Sequence, residues 1–163
     1  MVLKWSLWLR SRWSFLDQWL RLLFGFFWNL LCEMAYFVLL LSSFLFGGML
    51  LFSIGFGSLS FKFLESSVAR NFIRRTFPYF YQYVLFVSAL IFLFGFNISK
   101  TVSTLAFVIF ATTIPTSKIL MPAINKAADA KQKRNFVLFH TLSVAITLSH
   151  ITICAVLLYL ISV

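Results

Sequence analysis

The sequence predicts an all-α membrane protein: a four-helix transmembrane antiparallel bundle preceded by an N-terminal amphipathic helix lying at the membrane interface. Three observations predict it. Of 163 residues, 61% are hydrophobic and 11% are charged, whereas soluble domains average about 25% charged residues. Windows without any charge cover 34–61, 76–99, 101–117 and 135–163, against the roughly 20 apolar residues that span a hydrocarbon core. The basic residues responsible for the net charge of +10 fall between those windows, where lysines and arginines flank membrane helices. That distribution excludes nucleic acid as a partner, since no soluble domain remains to carry a phosphate-binding face. It points instead to membrane lipids, with headgroup contacts expected at Arg70, Arg74, Arg75, Lys131, Lys133 and Arg134.

Residues 1–33 form the first segment. All five tryptophans lie here, and Arg10, Ser14, Asp17, Arg21, Gly25, Asn29 and Glu33 recur every three to four residues. One narrow polar stripe on a tryptophan-rich helix fits a helix in the membrane plane. Asp17 and Arg21, four apart, can form an intrahelical pair. A secretory signal peptide fits less well, because charges intrude into the apolar run and no small-residue cleavage pattern follows it. A mitochondrial-type presequence is opposed by Asp17 and the aromatic density.

The bundle occupies 34–163. The first span, about 34–61, carries Ser43, Gly47, Gly55 and Ser58 near one face and Ser53 with Gly57 on another. Small residues let helices approach closely, and packing within the chain is the preferred use of these faces, with dimerisation the alternative. In the following segment Ser66 and Ser67 are candidate helix caps. Pro78 is expected at the start of the second span, about 76–99, where its missing N–H is harmless. Tyr79, Tyr81 and Tyr83 suggest an interfacial aromatic belt. The short turn "FNISK" makes the second and third spans antiparallel neighbours. Within the third span, about 101–121, Pro115 predicts a kink near Thr112 and Thr113, whose hydroxyls can bond the freed carbonyls. A polar, helix-prone loop leads to the fourth span, about 135–163.

Orientation follows from basic residues: four in the 62–75 loop and five in the 118–134 region, against one in the 98–100 turn. Both larger loops are expected on the cytoplasmic side of a bacterial inner membrane, or its equivalent in an organellar membrane. A fifth span formed by the N-terminal segment satisfies the charge rule better. Four spans keep Asp17, Gln18 and Arg21 wet, and that reading is adopted.

His140, Ser143, Thr147, His150 and Cys154 recur at intervals of three and four on the last span. This puts them on one helix face, which should point into the bundle. A proton relay, a metal site and a substrate path compete there with plain interhelical hydrogen bonding, which is preferred. Ten residues of helix separate the histidines by about 15 Å, too far to share one ion. Cys32 and Cys154, distant in sequence, imply neither a disulfide framework nor a metal site. The acids Asp17, Glu33, Glu65 and Asp129 all lie outside the four expected spans. Paired carboxylates, a Ser-His-Asp arrangement and a glycine-rich phosphate loop are missing. No cofactor, metal or catalytic residue is expected.

Two stretches carry a family resemblance. "GGMLLFSIGFGSLSFKFLESSVARNFIRRTFPYFYQY" resembles the first half of transmembrane protein 205-like proteins, with matching positions Lys62, Phe77, Pro78, Tyr79 and Phe80. "LMPAINKAADAKQKRNFVLFHTLSV" is similar to that family's later region at Pro122, Phe136, His140 and Ser143. Thr147 stands where the family usually has asparagine. The resemblance covers about 34–155 and implies a four-span bundle, without supplying a reaction. The function expected is that of an accessory or structural subunit of a larger membrane assembly, contacting other integral membrane subunits. The alternative is a small transporter or channel whose path is lined by the polar face of the last helix. A redox or lipid-modifying enzyme would need a bound chromophore or metal.

Overall fold

The computed structural model describes Gly25 and residues 33–163. The expected interfacial helix and the Asp17–Arg21 pair lie outside the described residues. The rest is helical: α1 (Glu33–Phe63), α2 (Ser66–Gly95), α3 (Lys100–Asp129) and α4 (Lys133–Ser162), each long and apolar enough to cross a membrane. The protein is a membrane protein. Thirty residues of helix reach about 45 Å, while the hydrocarbon core is about 30 Å thick. Each helix is therefore longer than the core, which explains most differences from the spans expected above. The second helix begins at Ser66, so Pro78 sits inside it rather than at its start. Glu65 precedes it as N-cap without a side-chain hydrogen bond, and Ser66 and Ser67 do not cap. The third helical stretch runs on to Asp129, so both basic "loops" are mostly helix.

Contacts pair the helices in opposite numerical order. Between α1 and α2, an aromatic seam joins Phe37 to Phe94, Phe44 to Tyr83, Phe52 to Phe80 and Phe56 to Phe72, with ring centroids 4.2–5.2 Å apart. The seam tightens at Gly48, where any Cβ would collide with the Tyr83 ring and hydroxyl. That space lets Tyr83 Oη donate to the Phe44 carbonyl across 2.5 Å. Between α2 and α3, Ser103 Oγ donates to the Phe92 carbonyl at 2.8 Å. Gly95 makes room there, since its Cβ would lie 3.1 Å from Val102 Cγ1. Tyr81 is buried and Tyr83 half-buried, so only Tyr79, 71% exposed, suits the expected aromatic belt.

The inward face of α1 is Val38, Ser42, Leu45 and Met49, at intervals of four, three and four. Ser43, Gly47, Ser53 and Ser58 point outward. Their expected packing within the chain is therefore corrected: at this helix phase the bulkier neighbours fill the seam. Ser42 Oγ, fully buried, has no hydrogen-bond partner among the described residues.

Two stretches widen into π-helical turns. Leu51–Phe56 ends with Gly57 N–H donating to Phe52 O, five residues back. Thr116–Leu120 follows Pro115 directly. Proline offers no N–H to the Ala111 carbonyl, and the next N–H, that of Thr116, is shared between Thr112 O and Thr113 O. The helix absorbs the missing donor by widening. Thr112 and Thr113 bond the Val108 and Ile109 carbonyls rather than the freed one.

Short connections close the chain. Ser99 caps α3, its Oγ accepting from Thr101 N–H at 3.2 Å. At the end of α3, Gln132 N–H donates to Ala127 O and Lys131 N–H to Ala128 O, the paired bonds of a Schellman stop. Lys131 adopts φ 54° there, a left-handed conformation that disfavours a side chain. Lys131→Gly is expected to stabilise the protein by about 0.5–1 kcal/mol, read as a higher unfolding midpoint in detergent. An unchanged or lower midpoint would contradict this account of the turn.

Candidate functional site

The polar face of α4 is built by a 3–4 repeat, and four of its five residues turn inward. Ser143, His150 and Cys154 are buried and Thr147 is half-buried. His140 is exposed, stacked on Phe136 with centroids 5.6 Å apart and planes 2° from parallel. One helical turn beyond Ser143 the bundle no longer covers the face. The two expected histidines are therefore not equivalent.

His150 has a specific partner. Its Nε2 lies 2.7 Å from Thr112 Oγ1 on α3, and Thr112 in turn donates to the Val108 carbonyl at 2.6 Å. Thr112 was singled out in the sequence only for its place before Pro115; nothing in its local pattern marks it as the histidine's partner. Thr147 donates to the Ser143 carbonyl at 3.0 Å. The Tyr81 hydroxyl of α2 faces the Ser143 side chain. Cys154 is a free thiol buried in the core with Leu157, Ile91 and Leu45. Among the described residues, no three His, Cys, Asp or Glu side chains converge as a metal site.

The family-motif positions scatter. Lys62 is exposed, its Nζ 5.6 Å from the Phe63 ring centroid. Phe77 packs edge-on against Phe52 in the α1–α2 seam, while Pro78 and Pro122 are exposed. Phe136 is brought to His140, and Pro78 and Pro122 stand apart from the α4 face. Of the expected headgroup residues, Arg70, Arg75, Lys131, Lys133 and Arg134 are exposed. Arg74 is instead engaged with α3, donating to Asp129 Oδ1 at 2.7 Å and to the Asn125 carbonyl at 3.3 Å. Both partners remain partly exposed, so the pair contributes at most about 1 kcal/mol. The sequence signal for it was weak: an acid in an otherwise basic segment 55 residues away.

Comparison with protein-family models, curated proteins and solved structures returned no match. The chemistry of the site rests on its own geometry. One imidazole, several hydroxyls and a thiol can exchange hydrogen bonds between helices.

A double-mutant cycle isolates the central contact. With Thr112→Val and His150→Phe, a coupling of about 0.5–2 kcal/mol is expected from unfolding in detergent. Additive effects would mean that the two side chains do not stabilise one another. His140→Ala should shift stability by less than about 0.5 kcal/mol, as exposed positions do.

Proposed function

We propose that the protein is a non-enzymatic accessory or structural subunit of a larger membrane assembly, working through lateral contacts with other integral membrane subunits. Its plan is an antiparallel four-span bundle like that implied for the transmembrane protein 205-like family, with residues 1–33 as an amphipathic helix at the interface. The observation that carries this reading is where the mass lies. Among the described residues, the helices are joined only by Leu64–Glu65, Phe96–Ser99 and Ala130–Gln132, so nothing between them forms a domain outside the bilayer. What remains for recognition is the flank of the bundle, where large apolar side chains such as Tyr36, Leu40, Phe44 and Leu51 are exposed alongside Ser43 and Gly47. The inward polar groups support the same reading, because they are spent on contacts within the chain.

The helix ends near Arg70, Arg75, Lys131, Lys133 and Arg134 face the cytoplasm or its organellar equivalent and meet anionic lipid headgroups. The membrane is a bacterial inner membrane or an organellar one.

A transporter or channel is the second reading, favoured by the small cavity beside His150. His150→Ala would then abolish flux in proteoliposomes while folded protein is retained; a variant that is only less stable assigns the residue to packing.

Native mass spectrometry after gentle extraction tests the assembly. A stoichiometric complex with other membrane subunits is expected, and a lone chain would overturn the reading. Gly47→Leu should reduce that complex while moving the stability of the isolated chain by less than about 0.5 kcal/mol, because a Cβ at Gly47 meets nothing within 4 Å.

A further inference from the structure

All four helices contribute to a small cavity beside His150, bounded also by Met49, Tyr81, Thr113, Thr116 and Thr147. Its volume is about 10 Å³, close to the room one water molecule needs. The hydrogen bonds around it are one-sided. A carbonyl can only accept, so each threonine gives its single hydroxyl proton to its own helix. Thr113 donates to Ile109 O at 2.6 Å, Thr116 to Thr112 O at 2.8 Å and Thr147 to Ser143 O at 3.0 Å. Their oxygens are left as acceptors.

The same logic applies to the histidine. With the Thr112 proton on Val108 O, His150 Nε2–H is the donor in the 2.7 Å contact; the other tautomer would reverse it. The Nε2–H tautomer leaves Nδ1 unprotonated, with no partner among the described residues. Nδ1 is not sealed either. Among the described residues, Ser42 Oγ is the only buried side-chain nitrogen or oxygen that is both closed off and unpartnered. His150 lines the cavity and is itself only 6% exposed.

We propose that one water molecule occupies this cavity, donating its two hydrogens to His150 Nδ1 and to a threonine hydroxyl oxygen, and so linking the helices near the middle of α4. Met49, Phe80, Val84 and Ile146 make much of the wall apolar, but His150, Tyr81 and three threonines on it give one water enough polar partners, whereas a wholly apolar cavity stays dry. Water supplies protons to the acceptors that the threonines and His150 leave open, and its own oxygen can accept from the Tyr81 hydroxyl on the same wall. A sodium or ammonium ion also suits acceptors, but the acids among the described residues are Glu33, Glu65 and Asp129, all at helix ends. With no carboxylate beside it, a cation would remain an uncompensated charge in the bundle interior, a far larger cost than a neutral guest.

X-ray hydroxyl-radical footprinting of the full chain in nanodiscs tests this, because radiolysis of a trapped water labels the side chains around it. Met49 and Tyr81, 1% and 4% exposed, should be labelled despite being shut off from bulk water. Val84→Leu, which adds a methylene at the cavity wall, should lower that labelling by about tenfold as the water is expelled. Thr147→Val, which removes an acceptor at little change in volume, should lower it as well and supplies the comparison if Val84→Leu does not fold. Background labelling of Met49 and Tyr81 in the native chain would overturn the proposal. So would labelling that neither variant reduces. Replacing sodium by potassium, ammonium or choline should leave the melting temperature unchanged; a rise specific to one cation would overturn water in favour of an ion.

Discussion

Hydrocarbon offers no hydrogen bonds, and the arrangement of this protein depends on that constraint. Every polar group within the apolar windows must find its partner in the chain itself or lose several kcal/mol. Most hydroxyls solve the problem locally, by donating to a carbonyl one turn back: Ser88 to Val84, Thr113 to Ile109, Thr116 to Thr112, Thr147 to Ser143 and Thr152 to Leu148. A few reach across to a neighbouring helix, and these bonds tie the bundle together. Tyr83 reaches α1, Ser103 reaches α2 and His150 meets Thr112 on α3. Among the buried side chains of the described residues, Ser42 is closed in without a partner.

Cross-helix bonds need backbones close enough to be reached, and single small residues provide the approach. Gly48 admits the Tyr83 hydroxyl and Gly95 admits Val102 and Ser103. Each sits one turn or less from the bond it enables. The widened turn after Pro115 adds to this. It follows directly on the stretch that carries Thr112 and Thr113, and Thr116 at its start is buried against the same cavity as His150. A proline that removes one backbone donor thus lies where the interior is most polar.

The two ends and the flank of the bundle are chemically different surfaces. One end gathers basic residues on the first turns of α2 and α4, with Arg74 holding Asp129 between α2 and α3. The opposite end, where α1 begins and α2 turns into α3, carries Glu33 and Lys100 among the described residues. Along the flank, large apolar side chains alternate with the outward Ser43 and Gly47 of α1. Among the described residues little lies outside the helices, so this flank is the largest surface on which the proposed partners would dock.

By itself the sequence determined immersion, the four long apolar helices among the described residues and the 3–4 repeat on α4, because these follow from composition and period. Four charge-free windows became four long helices, and Ser143, Thr147, His150 and Cys154 share an inward face. Helix ends were less legible: Ser66 to Thr76 and Pro122 to Asp129 are polar enough to read as loop, yet remain helical where the chain leaves the hydrocarbon. Only the tertiary structure decided which neighbour each face meets. Ser42 rather than Ser43 faces the core, His140 escapes it, and Phe52 joins the α1–α2 seam while Phe86 stays outside. In a chain with 22 phenylalanines, hydrophobicity does not separate a lipid-facing ring from a core-facing one. In lipid both environments are apolar, so packing geometry and the reach of a few polar atoms set the phase of each helix.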